Sequence, residues 1–328
     1  MSSLVGPNLK QCVVDVFGFS RGAAEARVFC SWLNEALENG ELAGVPLNIR
    51  FLGIYDTVAS AGIVSSIVAG RRNETKGHDG WAAATSLRIC PLVRNCVHMV
   101  AMHEFRKNFP LDKVDVAGAL PTGTVEVAYP GCHSDLGGGY APGELGVSTS
   151  TTAEYADSLK LSQLPLNHML ECARACGTPL NKKLAIDRRN GRDPFQVASQ
   201  LATDFDGILK SIGSSPKRLL SWGNDYLSWR WHVRNSYTQL SQYKNAAPEA
   251  QKLMLEQNNK LIRDAKLLLE HANLNMSRRQ QREVLVGNSG VNNPKNAPFY
   301  AGISHLDPVG RAKSPTPGRV KIPHLLTE

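Results

Sequence analysis

The most constraining stretch of the chain is residues 12–23, CVVDVFGFSRGA. Its first six residues, Cys12 to Phe17, are mostly β-branched or aromatic and predict a short strand. The run ends at Gly18, and from Arg21 the apolar period becomes helical. Val28/Phe29, Trp32/Leu33 and Ala36/Leu37 recur at i, i+4, which predicts one buried helical face ending near Asn39-Gly40. A strand joined to a helix through Gly18-Phe19-Ser20-Arg21-Gly22 requires a sharp turn of the G-x-S-x-G kind. Such a turn holds Ser20 in strained dihedrals and lifts its hydroxyl above the sheet edge. The helix N-terminus behind it favours developing negative charge. Gly18 and Gly22 are expected to remove side chains that would otherwise clash.

Two more strands follow from the pattern. Ile49 to Tyr55 (IRFLGIY) is apolar and ends at Asp56, and Thr124 to Tyr129 (TVEVAY) alternates cleanly into Pro130-Gly131-Cys132-His133. Asn95 to Met102 (NCVHMVAM) fits either a strand or the start of a helix, and periodicity does not decide. Strands alternating with helices predict an α/β chain, α/β-hydrolase-like. Its sheet is mainly parallel with helices on both faces, polar residues stand at the strands' carboxyl ends, and a helical C-terminal extension follows. Ala141 to Asp157 reads as a loop, and Pro165 to Ala175 as a helix stopped by Gly177. Trp222, Trp229 and Trp231 are expected on the core or in a cap, and Pro248 to Asn273 in a long amphipathic helix. The expected divisions are a core over 1–150, the rest of that domain with cap-like helices over 151–245, a basic amphipathic helical segment over 246–290 and a loop-like tail over 291–328.

Composition narrows the classes. Hydrophobic residues at 42% and charged residues at 20% exclude a disordered chain or a coiled coil. No run reaches the roughly eighteen apolar residues of a membrane span, and MSSLVGPNLKQ lacks the pattern of a secretory signal peptide. The seven cysteines have no paired metal spacing and read as buried thiols, so no metal or cofactor is expected. Of the net charge of +8, an excess of 6 falls after Gln251. That flank suits an anionic lipid surface, an acidic partner or plain solvent. Nucleic acid is the weakest partner, because the aromatic-interleaved motifs of RNA-binding folds are missing. Val58 to Gly70, followed by Arg71-Arg72, is almost free of charge and reads either as a lip dipping into a bilayer interface or as a buried helix.

A serine hydroxyl needs a general base, and the base needs an orienting carboxylate. Of nine histidines, His133 follows a strand directly and sits in the Gly-flanked loop PGCHSDLGGGY. His78 lies in a polar loop, whereas His98 and His103 lie in an apolar run and read as structural. Asp56, at a strand end, supplies the carboxylate, giving the order Ser20, Asp56, His133. Asp135 is read as orienting the His133 loop through backbone N–H groups. The Arg21 N–H supplies one oxyanion donor.

Taken together, GFSRGAAEAR, FLGIYDTVASAG, HEFRKNFPLD and YPGCHSDLGGGY resemble the type VI secretion lipase effectors with a GFSRGA elbow. LPLNHMLECARACG and YLSWRW extend the likeness over roughly residues 11–235. The resemblance implies an α/β-hydrolase fold in which Ser20 is the nucleophile, Asp56 orients and His133 is the base. It also implies phospholipase A-type hydrolysis of bacterial membrane lipids in a rival cell's periplasm, with an immunity protein and a type VI spike or tube protein as partners. The family carries an Asp-Gly-Thr-type segment upstream of the elbow that is missing here. The expectation is therefore an N-terminally shortened member whose second oxyanion donor is absent or comes from the Gly137-Gly138-Gly139 loop. Competing expectations are a non-catalytic fragment that keeps a binding surface, and a general serine esterase.

Overall fold

Among the described residues, four strands lie side by side, all parallel, in the order β1 (Cys12–Phe19), β3 (Val45–Tyr55), β4 (Val93–Ala101) and β5 (Thr124–Tyr129). A two-residue β2 (Glu41–Leu42) folds back antiparallel on the start of β3. The computed structural model describes residues 9–59, 85–101, 104, 111–150, 152–212 and 232–270. Helix α1 (Arg21–Glu35) covers one face of the sheet, packing Ala23, Ala26 and Cys30 on Ile49, Leu52, Ile54 and Cys96. The opposite face carries Phe51, Val97 and Met99 under the helices numbered α4 and α6 below. The sheet is therefore mainly parallel and sandwiched between helices, an α/β-hydrolase-like arrangement.

β4 resolves the ambiguous NCVHMVAM run as a strand. It pairs on both edges and is covered on both faces, which is why its sequence is nearly continuous in apolar residues. Against β1, β3 carries one extra residue: Val14 pairs with Ile49 but Asp15 with Phe51. The bulge at Arg50 breaks the period-2 pattern, so Ile49 joins Leu52 and Ile54 on the α1 face. The Arg50 guanidinium turns to Asp15, which pairs with it across the two strands.

α1 corrects the expected helical face. Val28 is buried, but Phe29 and Trp32 are 47% and 62% exposed, and the helix stops at Glu35 rather than Asn39. The buried face is built from Ala23, Ala24, Ala26 and Cys30. These small side chains let the helix lie close on the sheet, a signal that i, i+4 matching of large residues does not register.

After β5, the short helix α2 (His133–Leu136) follows at once. Within the stretch expected as a loop, Thr152 caps a further helix, α3 (Ala153–Ser158), by accepting from the Tyr155 N–H. α4 (Gln163–Ala175) holds Pro165 in its first turn and ends at Gly177, whose φ of +87° suits glycine at the helix stop. Beyond it come α5 (Lys182–Asp187), α6 (Ser199–Ile212), α7 (Ser241–Asn245) and α8 (Pro248–Glu270). α8 buries Met254 against Tyr237 and Ala246 in a small core of its own. Among the described residues no helix is long and apolar enough to cross a membrane. All seven cysteines are free, with Cys30, Cys90, Cys96 and Cys172 buried. Burial pushes the Cys30 and Cys172 thiols up to about 12. His78, His103, the three tryptophans Trp222, Trp229 and Trp231, Arg71-Arg72, most of Val58–Gly70 and the tail after residue 270 lie outside the described residues.

α4 docks on the sheet partly through a polar contact. The Tyr129 hydroxyl lies 2.7 Å from His168 Nδ1, and both rings pack on Phe205. Burial pulls the His168 imidazole down to about 4. Between that value and the ordinary ~6.5, the unfolded chain binds a proton that the folded chain refuses. The stability linked to His168 is therefore full above about pH 6.5 and is lost as pH drops towards 4. His168→Asn, whose side-chain carbonyl can take the place of Nδ1 as an acceptor for Tyr129 but does not titrate, should show a smaller drop in urea midpoint between pH 7 and pH 5 than the wild type. Equal drops would mean that His168 contributes nothing to the acid sensitivity.

Candidate active site

The pairing of β1 with β3 sets Phe19 opposite Tyr55, so the residues that follow, Ser20 and Asp56, leave adjacent strand ends together. Ser20 takes φ 58° and ψ −121°, the left-handed strain expected of the elbow. Its N–H donates to Tyr55 O at 3.0 Å, and its carbonyl accepts from Ala23 at 3.1 Å and Val58 at 3.2 Å. The steric demand for glycine falls on one of the two elbow positions. A Cβ at Gly18 would run into the Gly22 carbonyl and the Ala23 Cα, whereas at Gly22 it would meet nothing within 4 Å. The expectation that both glycines prevent a clash is corrected to Gly18 alone.

Asp56 also has a positive φ, 39°. Its N–H donates to Met99 O at 2.7 Å, and its Oδ1 accepts the Ala101 N–H at 2.9 Å. Its Oδ2 lies 2.6 Å from His133 Nδ1, and His133 Nε2 lies 2.8 Å from Ser20 Oγ. Burial alone would raise the Asp56 carboxyl. The hydrogen bond and charge of His133, with the Ala101 amide, outweigh it and hold the group below its ordinary value. An ionised Asp56 accepts the Nδ1 proton of His133. The imidazole lone pair on Nε2 then faces the serine hydroxyl. The structure thus brings Ser20, Asp56 and His133 into one hydrogen-bonded line, with Asp56 and His133 only 3% and 5% exposed.

The loop around His133 is held by carboxylates. Asp135 Oδ2 accepts the Cys132 N–H at 2.7 Å, the backbone role expected for it. Glu104, 1% exposed, accepts the His133 N–H at 3.2 Å. Sequence reading missed Glu104. The available signal was a charged residue directly after the apolar run of β4, inside HEFRKNFPLD. Phe19 packs its ring 4.5 Å from that of His133. Arg21 opens α1, so its amide is among the helix-start donors that have no acceptor within the helix. Of the alternative donors in the glycine loop, two are engaged elsewhere: the Gly137 and Gly139 N–H groups both donate to Ser134 O, at 3.2 and 2.8 Å. His98 lies behind Asp56, away from this line, bonded to Glu126 and Thr57. Among the described residues no cluster of three His, Cys, Asp or Glu side chains could hold a metal ion.

Residues 37–172 match the family model described as the type VI secretion phospholipase effector Tle1-like catalytic domain. The match contains Asp56 and His133, and Ser20 precedes it. The likeness read from the sequence motifs is thus recovered by an independent comparison. Among solved structures, the chain is similar to a crystal structure of an uncharacterised protein from Pseudomonas aeruginosa. The identity is 26% and the TM-score 0.60, over 94% of this chain and 44% of that one. It is also aligned, at 22% identity and a TM-score of 0.40, with the Tle1 effector bound to the VgrG spike of the type VI secretion system, over 61% of this chain and 52% of that one. The chain therefore spans about half the length of these solved relatives or less. No curated protein matches it significantly.

The elbow geometry separates its two glycines experimentally. Gly18→Ala should destabilise the fold by about 1–3 kcal/mol or more through overpacking against backbone that has no room to yield. Gly22→Ala should leave stability equal or up to about 1 kcal/mol higher, since alanine is the better helix former. Urea midpoints of the two variants check this, and an equal loss in both would contradict the asymmetry.

Proposed function

We propose that this chain is a serine-dependent lipase of the phospholipase A type that hydrolyses acyl esters of bacterial membrane phospholipids. The observation that carries the proposal is the line Asp56 Oδ2···His133 Nδ1, 2.6 Å, and His133 Nε2···Ser20 Oγ, 2.8 Å, set on a strained elbow at a helix N-terminus. The phospholipase effector family matched over residues 37–172 supports the substrate class.

In this mechanism Ser20 Oγ attacks the ester carbonyl carbon while His133 Nε2 takes its proton. Asp56 holds the imidazole in the Nδ1–H tautomer and stabilises the imidazolium that forms. The tetrahedral oxyanion develops beside the start of α1, where the Arg21 N–H and the helix dipole favour it. Collapse breaks the ester bond. His133 returns its proton to the departing lysophospholipid oxygen, leaving the acyl group on Ser20. Water, activated by the same histidine, then releases the fatty acid. No step calls on a cofactor.

The same family match supports export by a type VI machine; the target cell's periplasm as destination, a spike or tube protein as carrier and an immunity protein as antagonist follow from the motif resemblance and complete the proposal. The test is release of fatty acid from phosphatidylethanolamine/phosphatidylglycerol vesicles. Ser20→Ala and His133→Ala should each lower turnover by about 10⁴-fold or more with the fold intact, and the double variant should be no worse than either. Asp56→Asn should retain more activity than Ser20→Ala. Additive losses for Ser20 and His133 would break the shared mechanism. Cleavage of soluble short-chain esters alone would point to a general esterase, and no hydrolysis of any ester would point to a non-catalytic binding protein.

A further inference from the structure

Four successive amides after β3 are held from three parts of the molecule: β4, the elbow and the segment that carries Asp112. The Asp56 N–H goes to Met99 O and the Val58 N–H to Ser20 O, while the Ala59 N–H goes to Asp112 Oδ2. The remaining one, Thr57 N–H, meets no backbone carbonyl. It donates to His98 Nε2 at 3.2 Å, and the Thr57 hydroxyl lies 3.1 Å from the same nitrogen. An amide N–H can only donate, so Nε2 presents its lone pair and the ring proton sits on Nδ1. That proton faces Glu126 Oε2 at 3.0 Å. Thr57 and His98 are fully buried and Glu126 is 6% exposed.

The surroundings fix the direction of this relay. Glu126 Oε2 also accepts the Val114 N–H at 3.4 Å. The buried guanidinium of Arg27, on α1, donates to the carbonyls of Leu87, Asp112 and Lys113 and lies near enough to feel the Glu126 charge. Asp112 in turn donates its N–H to Thr57 O at 2.9 Å. A cation and a carboxylate therefore stand behind His98, and the turn that carries Asp56 stands in front of it. The Asp56 backbone has a positive φ of 39°, a conformation that persists only where its surroundings over-determine it.

We propose that His98 is a positioning residue. As the Nδ1–H tautomer fixed by Glu126, it captures the Thr57 amide and so holds the Asp56–Thr57 peptide, keeping the Asp56 carboxylate on His133. This deepens the hydrolase reading and rests on it, because the role matters only if Asp56 orients a catalytic imidazole. It separates the two histidines that flank Asp56. His133 meets the nucleophile, whereas His98 meets the backbone behind the carboxylate.

Two variants divide the ring's functions. His98→Asn places a side-chain amide where Nδ1 was and keeps the Glu126 contact, but leaves the Thr57 N–H without an acceptor. His98→Gln reaches to where Nε2 was, and the carbonyl oxygen of the new side chain replaces the lone pair. His98→Asn should lower kcat on vesicles about ten- to a hundredfold with KM unchanged, the effect of a misplaced catalytic group. His98→Gln should recover most of that loss. In parallel, ¹⁵N-histidine NMR of the Ser20→Ala protein should show His98 protonated on Nδ1. The low-field proton of the His133–Asp56 hydrogen bond should shift or broaden with His98→Asn and persist with His98→Gln. A proton on Nε2 of His98, or equal effects of the two substitutions on kcat and on the low-field proton, would overturn the proposal. If the wild type hydrolyses no ester, the hydrolase reading falls, and the tautomer and the low-field proton still decide the role of His98.

Discussion

The register of two parallel strands governs the site. With Phe19 opposite Tyr55, β1 and β3 release their chains at the same level, and the next residue of each turns into the left-handed region. Ser20 then donates its amide to Tyr55 O and accepts the Val58 N–H on its own carbonyl. The serine turn and the aspartate turn thus hold each other by two backbone hydrogen bonds. β4 adds Met99 O and the Ala101 N–H to Asp56, and β5 delivers His133 one short turn after its last residue. Three side chains from three strand ends meet because parallel strands, unlike hairpins, place all their carboxyl ends on one side.

The elbow, the strands before Asp56 and His133, and the helix over Pro165–Ala175 were legible because each has a local signature: a glycine pair, an apolar run, a proline and a glycine at the right ends. What was not legible depends on contacts distant in sequence. The outward turn of Phe29 and Trp32 follows from how closely the alanine face of α1 approaches the sheet. The face change at Ile49 follows from a bulge that exists only relative to β1. Gly22 looked sterically required because the motif pairs it with Gly18. In space only Gly18 is pressed against backbone. Glu104 and the His98–Glu126 pair could be seen as polar residues in apolar surroundings, but their partners lie 29, 41 and 28 residues away.

Among the described residues, buried Arg, His, Asp and Glu side chains gather at the site and directly behind it. Arg27, Glu126, His98 and Asp112 form a polar layer between α1 and the strand ends, satisfied largely by backbone groups of the segments that follow β3 and β4. A layer like this is expensive if any member is left without a partner, since each buried unsatisfied group costs about 1–3 kcal/mol. Its arrangement is therefore stiff, and stiffness is what two strained residues facing one imidazole require.

The central claim is that Ser20 is a nucleophile activated by His133. The most direct measurement is covalent labelling by a fluorophosphonate, followed by peptide mass mapping. The account predicts one phosphonyl group on the peptide carrying Ser20, formed rapidly in the wild type, strongly slowed in His133→Ala and absent in Ser20→Ala. Labelling that persists at another residue in Ser20→Ala, or a wild-type Ser20 that reacts no faster than the His133→Ala variant, would contradict it.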